Sequence, residues 1–214
     1  MALYLLSYYP CNHKIQMMRK AIVIGCLSLL FGGIIALFWY NEWVYSLPTT
    51  IPDKYTPVKP GSVIDLAGKF PSGKKPLFLH FFNPDCPCSR FNIAHFKSLV
   101  EQYGKDVDFG IVVLTAKGYT ASQIQNKFGI RIPVAFDSSI AAICGVYSTP
   151  QAVIITADHK LYYRGNYNKS RYCTDKSSNY AQIALAGLLH RDSTIVFDSY
   201  ALTAYGCRLP ECKK

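Results

Sequence analysis

An uncharged apolar run near the N-terminus constrains this chain more than any other feature. Residues Ala21 to Tyr40 form twenty consecutive positions without a charged side chain. A helix of that length rises about 30 Å, which matches the hydrocarbon core of a bilayer. The sequence therefore predicts a transmembrane helix over residues 21–40, preceded by a cytoplasmic segment over residues 1–20.

The charges on either side of this run give it an orientation. Lys14, Arg19 and Lys20 precede it, whereas Glu42 follows it and no lysine or arginine occurs before Lys54. Positively charged flanks of a membrane helix stay in the cytoplasm. The prediction is a single-pass protein that exports everything from about residue 41 onward.

Other interpretations of the run stay open. A cleaved signal peptide would need a small-residue cleavage site after a shorter apolar core, and no such site follows Tyr40. The letters from Val23 to Cys26 match a lipoprotein cleavage pattern, but the apolar residues lie after Cys26 and not before it. Met17 is a plausible true start, in which case residues 1–16 would not be expressed.

Beyond the run, the sequence separates into a linker, a domain and a tail. Residues 41–61 are rich in proline and threonine and predict an extracytoplasmic linker. Residues 62–190 alternate strand-like runs with helical patterns, which predicts an α/β domain with a mixed central sheet, and residues 191–214 are predicted to be a surface tail. The predicted elements are a strand over 76–82, a helix after Cys88, a strand over 107–114, a helix over 121–128, an extended piece over 132–136, a helix over 138–146, a hairpin of strands over 151–155 and 161–164, and a helix over 180–189.

The net charge and the cysteine content limit the kinds of partner and reaction that we expect for the exported domain. The formal net charge is +10, but the basic residues of the exported part are scattered, which indicates a solvated surface near anionic lipid and no nucleic-acid partner. Eight cysteines are too few for a protein held together mainly by disulfides, but in an exported protein this number indicates that some of them form disulfides or take part in redox chemistry. Six of them lie beyond the apolar run: Cys86, Cys88, Cys144, Cys173, Cys207 and Cys212.

Two of these cysteines form the motif Cys86-Pro87-Cys88. It follows an apolar strand and precedes a helical pattern, and close thiols at such a junction favour redox or metal chemistry over packing. The redox signature most often found there is Cys-x-x-Cys. In this chain Ser89 stands where the second cysteine would be.

A cysteine motif lies at the first strand-to-helix turn, and Ser148-Thr149-Pro150 precedes the hairpin. This order of elements resembles the thioredoxin fold. It is most similar to the membrane-anchored, extracytoplasmic redoxin-type thiol–disulfide proteins, over residues 62–189. The tail sequence Tyr205-Gly206-Cys207 also looks like the ending of some redoxin-like proteins. The resemblance implies a domain in the periplasm, tethered to a bacterial inner membrane, that exchanges disulfides with protein thiols or disulfides and needs no cofactor.

The resemblance also implies roles for individual residues. Cys86 matches the nucleophilic cysteine, with Cys88 as a second catalytic thiol. Pro150 matches a cis-proline that faces the nucleophile, and Thr149 before it would offer its backbone to an extended substrate. His80 falls where thioredoxins place a buried carboxylate that handles protons; the alternative for His80 is a core histidine whose hydrogen bonds are satisfied.

The sequence does not decide whether Cys86 forms its disulfide with a nearby or a distant cysteine. Residues i and i+2 of a helix lie about 200° apart, so Cys88 reaches Cys86 only if Cys86 lies just outside the helix and Pro87 takes its first position. Otherwise Cys207 or Cys173 would resolve Cys86. A structural disulfide of Cys173 with Cys207 or Cys212 is the competing expectation for those residues.

Several residues also have ordinary structural interpretations. Cys144 is expected to be an inert buried thiol, and His95 a surface residue on the helix after the motif. A peroxidase is disfavoured because Leu79 and Asn83 stand where the peroxiredoxin pattern needs proline and threonine.

Three function classes follow from the sequence. The leading one is a membrane-tethered thiol–disulfide oxidoreductase. The second is a copper-binding metallochaperone that uses Cys86 and Cys88, because close thiolates suit Cu(I). The third is a non-catalytic interaction domain that keeps the fold, in which alkylating reagents would not reach Cys86.

Overall fold

The computed structural model describes residues 9–70 and 74–209, with side chains from residue 13 onward. The chain divides after Ser46 into two units. The first is a helix, α1, over Tyr9–Ser46. By length and composition its part from His13 to Ser46 could cross a membrane, which agrees with the apolar helix predicted from the sequence.

The second unit is an α/β domain. Its strands are β1 (Leu77–Phe82), β2 (Asp108–Val113), β3 (Val134–Ala135), β4 (Ser148–Thr149), β5 (Gln151–Ile155), β6 (Leu161–Gly165) and β7 (Cys207–Arg208). Its α-helices are α2 (Pro87–Phe91), α3 (Ile93–Tyr103), α4 (Ala121–Phe128), α5 (Ser139–Cys144), α6 (Tyr180–His190) and α7 (Ser199–Leu202), and a short 3₁₀ helix spans Lys176–Ser178.

Five strands form one mixed sheet in the order β3-β2-β1-β5-β6. The neighbours β1–β2 and β2–β3 are parallel, whereas β1–β5 and β5–β6 are antiparallel. A parallel βαβ unit is thus followed by an antiparallel hairpin and a helix. This topology confirms the predicted α/β fold of the thioredoxin-like type.

The central strand β1 separates two apolar clusters. Phe78 and Phe82 point into a cluster with residues of α3, α4 and α6, and His80 joins them through ring contacts with Phe96 and Phe128 of that cluster. Leu79 belongs to a cluster on the other face, with residues of α5. Every residue of β1 is buried, which explains why the strand reads as one continuous apolar run.

Helix α4 shows how local sequence fixes an element. The Thr120 side chain accepts a hydrogen bond from the Gln123 amide, and the Gln123 side chain accepts one from the Thr120 amide, so the two residues form a capping box. The helix ends at Gly129, whose φ of 64° is left-handed. These signals explain why the predicted bounds of this helix match the structure.

The outer edge of β6 is covered at both ends. Near its start, the Gly61 amide donates to the Leu161 carbonyl at 2.7 Å and the Leu161 amide donates to the Ser62 carbonyl at 2.9 Å. Just beyond its end, the Asn166 amide donates to the Ala201 carbonyl of α7 at 2.9 Å. Segments from before and after the domain core therefore occupy this edge.

The C-terminal tail differs from the sequence-based expectation. Ala201, Ala204 and Cys207 are buried, so the prediction of a tail lying along the surface is wrong for these residues, although most positions from 191 to 200 are exposed. Within residues 41–61, Thr49 is also buried, and its amide donates to the Ala204 carbonyl at 2.7 Å. The domain boundaries drawn from the sequence otherwise remain predictions.

The core makes a first prediction. Phe78 has no exposed surface and its ring contacts the rings of Phe96, Phe109 and Tyr167. Phe78→Ala should lower the free energy of unfolding by about 3–5 kcal/mol, because it removes buried apolar area and leaves a cavity. Urea denaturation of the full chain in detergent measures the change. Phe136→Ala, at a half-exposed position, is the control and should cost far less.

Candidate redox site

Cys86 lies at the turn between β1 and α2. Its backbone is extended, it is the N-cap residue of α2, and Pro87 takes the first helical position. Proline is tolerated there because its missing N–H would have no partner inside the helix. The Cys86 amide donates to the Asn83 carbonyl at 3.1 Å, so the turn is closed by its own backbone.

Ser89, at the position of the usual second cysteine, has a structural role. Its side chain is fully buried, and its hydroxyl accepts a hydrogen bond from the Asn83 amide at 3.3 Å. The hydroxyl thus holds the loop that leads from β1 to Cys86.

The loop is also fixed by Asp85. Its carboxylate accepts hydrogen bonds from Thr115 at 2.8 Å, Tyr119 at 2.9 Å and Lys117 at 3.0 Å. Partial desolvation raises the pKa of Asp85, but the bond to Lys117 and those to Thr115 and Tyr119 outweigh it and hold the pKa below its usual value. Asp85 therefore stays ionised beside the cysteine.

The structure joins Cys86 to Cys207 by a disulfide across a sequence separation of 121. Cys88 belongs to the same cluster, since the sulfur atoms of all three cysteines lie within 4.8 Å of one another. Cys86 is fully buried, and Cys207 and Cys88 are exposed by only 3% and 6%. The site is a compact group of three sulfurs at the end of β1.

Two further cysteines of the described domain, Cys144 and Cys173, do not join this group. Cys173 does not pair with Cys207, so that expected structural disulfide is wrong: the Cys173 thiol instead donates to Asn92 Oδ1 at 3.0 Å. Burial raises the pKa of Cys173 to about 12 and that of Cys144, inside the core, also to about 12. Cys212 lies outside the described residues.

The two residues expected to bind substrate lie at the same place. The Thr149–Pro150 peptide is cis, as the resemblance implied. In the two-stranded ladder of β4 and β7, Thr149 stands opposite Cys207. The backbone expected to receive a substrate is thus beside the disulfide, and the tail of the chain is paired with it.

His80 is enclosed in the aromatic cluster. Its Nδ1 lies 2.6 Å from the Tyr167 hydroxyl, its ring stacks on Phe96, and within the described chain its Nε2 has no hydrogen-bond partner. Burial lowers the pKa of His80 to about 3, so its imidazole is neutral at neutral pH. The role of His80 in proton handling stays a prediction.

His95 corrects another expectation. It was expected on the surface, but only 9% of it is exposed, and burial lowers its pKa. Its ring contacts the ring of Tyr167 at 5.8 Å. Sequence reasoning placed His95 outside because a helical pattern identifies the main apolar face and not the polar residues at its border.

Sequence reasoning missed Thr49. This residue donates its hydroxyl hydrogen to the Gly206 carbonyl at 2.7 Å and lies 3.2 Å from the Ser148 hydroxyl. It therefore holds the tail next to the disulfide. No local signal marks it, because it stands in a proline- and threonine-rich stretch with no periodicity.

Comparison with known proteins adds a family and a fold. The model of a protein family described as "Domain of unknown function (DUF6436)" matches residues 61–210. No curated protein matches the chain.

Solved structures share the fold at low sequence identity. A hypothetical protein from Sinorhizobium meliloti has a TM-score of 0.60 and 14% identity, with 73% of this chain and 96% of that one covered. An uncharacterized conserved protein from Geobacillus kaustophilus has a TM-score of 0.51 and 19% identity, covering 73% and 90%. A thioredoxin family thiol:disulfide interchange protein from Chlorobium tepidum has a TM-score of 0.43 and 15% identity, covering 65% and 99%. At these identities the likeness to the first two structures concerns the fold alone.

The buried histidine makes a prediction about pH. The pKa of His80 is about 3 in the folded protein and near 6.5 when unfolded, so between these values the unfolded chain binds the extra proton. The free energy of unfolding should therefore fall as the pH drops from about 6.5 towards 3, by about 1 kcal/mol per pH unit from this residue. Urea denaturation of the full chain across this range measures the slope.

The matched variants are His80→Phe and His159→Asn, which changes an exposed histidine. His80→Phe should flatten the dependence on pH, and His159→Asn should leave it unchanged. An equal slope in the wild type and His80→Phe would show that His80 is not the source.

Proposed function

The chain belongs to the family described as "Domain of unknown function (DUF6436)", and we propose that it is a thiol–disulfide oxidoreductase whose working disulfide joins Cys86 and Cys207. The observation that carries this proposal is the third sulfur. Cys88 lies within 4.8 Å of both bonded sulfurs, although a structural disulfide needs no further thiol beside it. A third thiol in this position suits thiol–disulfide exchange, because a thiolate attacks a disulfide sulfur at close range.

The exchange balances over two steps. When residues 205–209 move aside and uncover the disulfide, a substrate thiolate attacks the Cys86 sulfur, the bond to Cys207 breaks, and Cys207 leaves as a thiolate. A second substrate thiol then attacks the substrate sulfur of the mixed disulfide, so that Cys86 leaves as a thiolate and the substrate becomes a disulfide. Two electrons pass to the protein. The same steps in reverse reduce a substrate disulfide.

Cys88 gives the site a second way to release a substrate. When Cys86 is held in a mixed disulfide, the Cys88 thiolate is close enough to attack Cys86 and displace the substrate thiolate. Because Cys86 is the N-cap residue and Pro87 begins the helix, Cys88 is not restricted to the far side of a regular helix. We propose Cys86 and Cys88 as catalytic residues and Cys207 as the resolving one.

The cellular setting is part of the proposal. The apolar helix α1 would tether the domain to a membrane, and the lysine and arginine residues before it would keep the N-terminus in the cytoplasm. The Cys-Pro-Cys motif would then act outside the cytoplasm, where disulfides persist. Its partners would be protein thiols or disulfides of that compartment.

Substitution of the cysteines tests the proposal. Cys86→Ser should abolish reduction of a model disulfide such as insulin by the full chain in detergent, because no other thiol occupies the turn before α2. Cys88→Ser should slow turnover while the Cys86–Cys207 bond still forms, as peptide mapping by mass spectrometry would show. Cys144→Ser is the control and should keep full activity. Unchanged activity in Cys86→Ser would refute the proposal.

A second candidate function is the binding of Cu(I). It is favoured by the same cluster, since the three sulfur atoms lie within 4.8 Å of one another and would all be thiolates after reduction, and soft thiolate ligands select Cu(I). Cys86, Cys88 and Cys207 would be the ligands. The metal and the disulfide would exclude each other, because Cys86 and Cys207 offer thiolates only after reduction.

Metal titration separates this candidate from the first. The reduced full chain should bind one Cu(I) in competition with a chelator of modest affinity, and the oxidised chain should bind none. Cys88→Ser should weaken binding at least about tenfold if this thiolate is a ligand, as the loss of one soft ligand implies. Cys144→Ser should bind as the wild type does. Failure of the reduced chain to compete would remove the copper function.

A further inference from the structure

The tail of the chain occupies the backbone edge that precedes Pro150. β7 pairs antiparallel with β4, so that Cys207 stands opposite Thr149 and Arg208 opposite Ser148. The Leu209 amide adds a hydrogen bond to the Tyr147 carbonyl at 3.3 Å. An incoming extended segment would form this same ladder, because a strand edge offers its N–H and C=O groups to any extended backbone.

The residue before Cys207 fits this edge only as glycine. A Cβ atom at position 206 would lie against the Thr149 carbonyl oxygen and the Ser148 hydroxyl. On its other side, the Gly206 carbonyl accepts the hydrogen bond from Thr49. The edge is therefore shaped for a glycine followed by a cysteine.

The tail also covers the disulfide. Cys86 is fully buried and Cys207 is 3% exposed, so an external thiol or disulfide cannot approach either sulfur while the tail is in place. Residues 199–204, which precede this segment, have hydrogen bonds of their own to the domain. Asn166 Nδ2 donates to the Tyr200 carbonyl at 2.6 Å and to the Thr203 carbonyl at 2.5 Å. Residues 205–209 can thus leave the edge while residues 199–204 stay docked.

We propose that residues 205–209 stand in for the substrate, and that the substrate is an extended polypeptide segment with a glycine directly before its reactive cysteine. This inference rests on the proposed oxidoreductase function. Once a protein dithiol has reduced the Cys86–Cys207 bond and has itself become a disulfide, the tail is held only by its backbone contacts, and the substrate segment displaces it along Ser148 and Thr149. The substrate cysteine then occupies the position of Cys207, beside Cys86.

The reaction of a substrate disulfide follows from this exchange of strands. The Cys86 thiolate attacks the sulfur of the cysteine that follows the glycine, a new bond joins the two, and the other substrate cysteine leaves as a thiolate. The tail then returns, and the Cys207 thiolate attacks Cys86 and displaces the substrate as a second thiolate. The substrate gains two electrons, and the protein dithiol becomes the Cys86–Cys207 disulfide.

Peptides with an activated cysteine test the glycine requirement. The probes are Tyr-Gly-Cys-Arg-Leu and Tyr-Ala-Cys-Arg-Leu, each carrying its cysteine as a thiopyridyl disulfide, so that attack by Cys86 releases thiopyridone and forms the mixed disulfide. With a reduced variant that ends at Ala204, the glycine peptide should react about tenfold faster than the alanine peptide, because the added methyl group overpacks the edge. Equal rates would overturn the inference.

A small disulfide separates this failure from failure of the proposed function. The reference probe is 2,2′-dithiodipyridine, which needs no strand edge. If it does not react with Cys86 in any variant, the oxidoreductase proposal itself is wrong. If it reacts readily while the two peptides react equally, only the substrate inference is lost.

If the buried Cys144 of the truncated chain reacts with a thiol reagent in the absence of denaturant, the truncated chain is not folded. Full-length variants then provide the test. Gly206→Ala should disturb the docking of the tail, so that N-ethylmaleimide alkylates Cys86 of the reduced protein several-fold faster than in the wild type. Gly118→Ala adds a methyl group where nothing lies within 4 Å and should leave the rate unchanged. Equal rates in the two variants would refute the role of the tail.

Discussion

The pairing of a two-residue strand, β7, with Ser148 and Thr149 is the interaction on which the candidate site depends. It brings Cys207 to Cys86 from the far end of the chain. The ladder itself is short and gains support from the Thr49 hydroxyl, which contacts both Gly206 and Ser148. Residues from before the core, from the middle of the domain and from the tail must therefore meet before the cluster of sulfurs exists.

The disulfide and the ladder support each other energetically. Closing a loop of this length by a covalent bond stabilises a fold by roughly 4–5 kcal/mol in the chain-entropy view. Reduction removes that contribution at the tail, where few backbone bonds remain to hold the strand. The redox state of Cys86 and the position of the tail are thus coupled.

The sequence predicted the elements whose signals are local. The buried run of β1, the capping box of α4 and the hairpin of β5 and β6 each depend on neighbouring residues, and the structure confirms them. The turn at Cys86 was also predictable, because Pro87 after a strand indicates a helix start. Together with Ser148-Thr149-Pro150 before the hairpin, these elements carry the resemblance to the thioredoxin fold.

What the sequence could not provide are the long-range contacts. Whether Cys86 bonds to Cys88, Cys173 or Cys207 depends on where distant segments lie, and spacing along the chain gives no information about that. The burial of His95 likewise depends on Tyr167 packing against it from another part of the domain. The tail was predicted to lie on the surface because its buried residues, including Ala201 and Ala204, are small and show no periodicity.

The covered edge of β6 has a consequence for selectivity. An open strand edge recruits other extended chains without regard to their sequence, and this is a common route to aggregation. In this domain Gly61 and Ser62 block one end of that edge and Ala201 of α7 blocks the other. A foreign strand is therefore excluded from the sheet at β6. An extended polypeptide that replaces the tail beside Thr149 would be held next to the Cys86 sulfur. Only a segment with a reactive cysteine at that position would then form a covalent bond, so the reaction selects among the chains that bind.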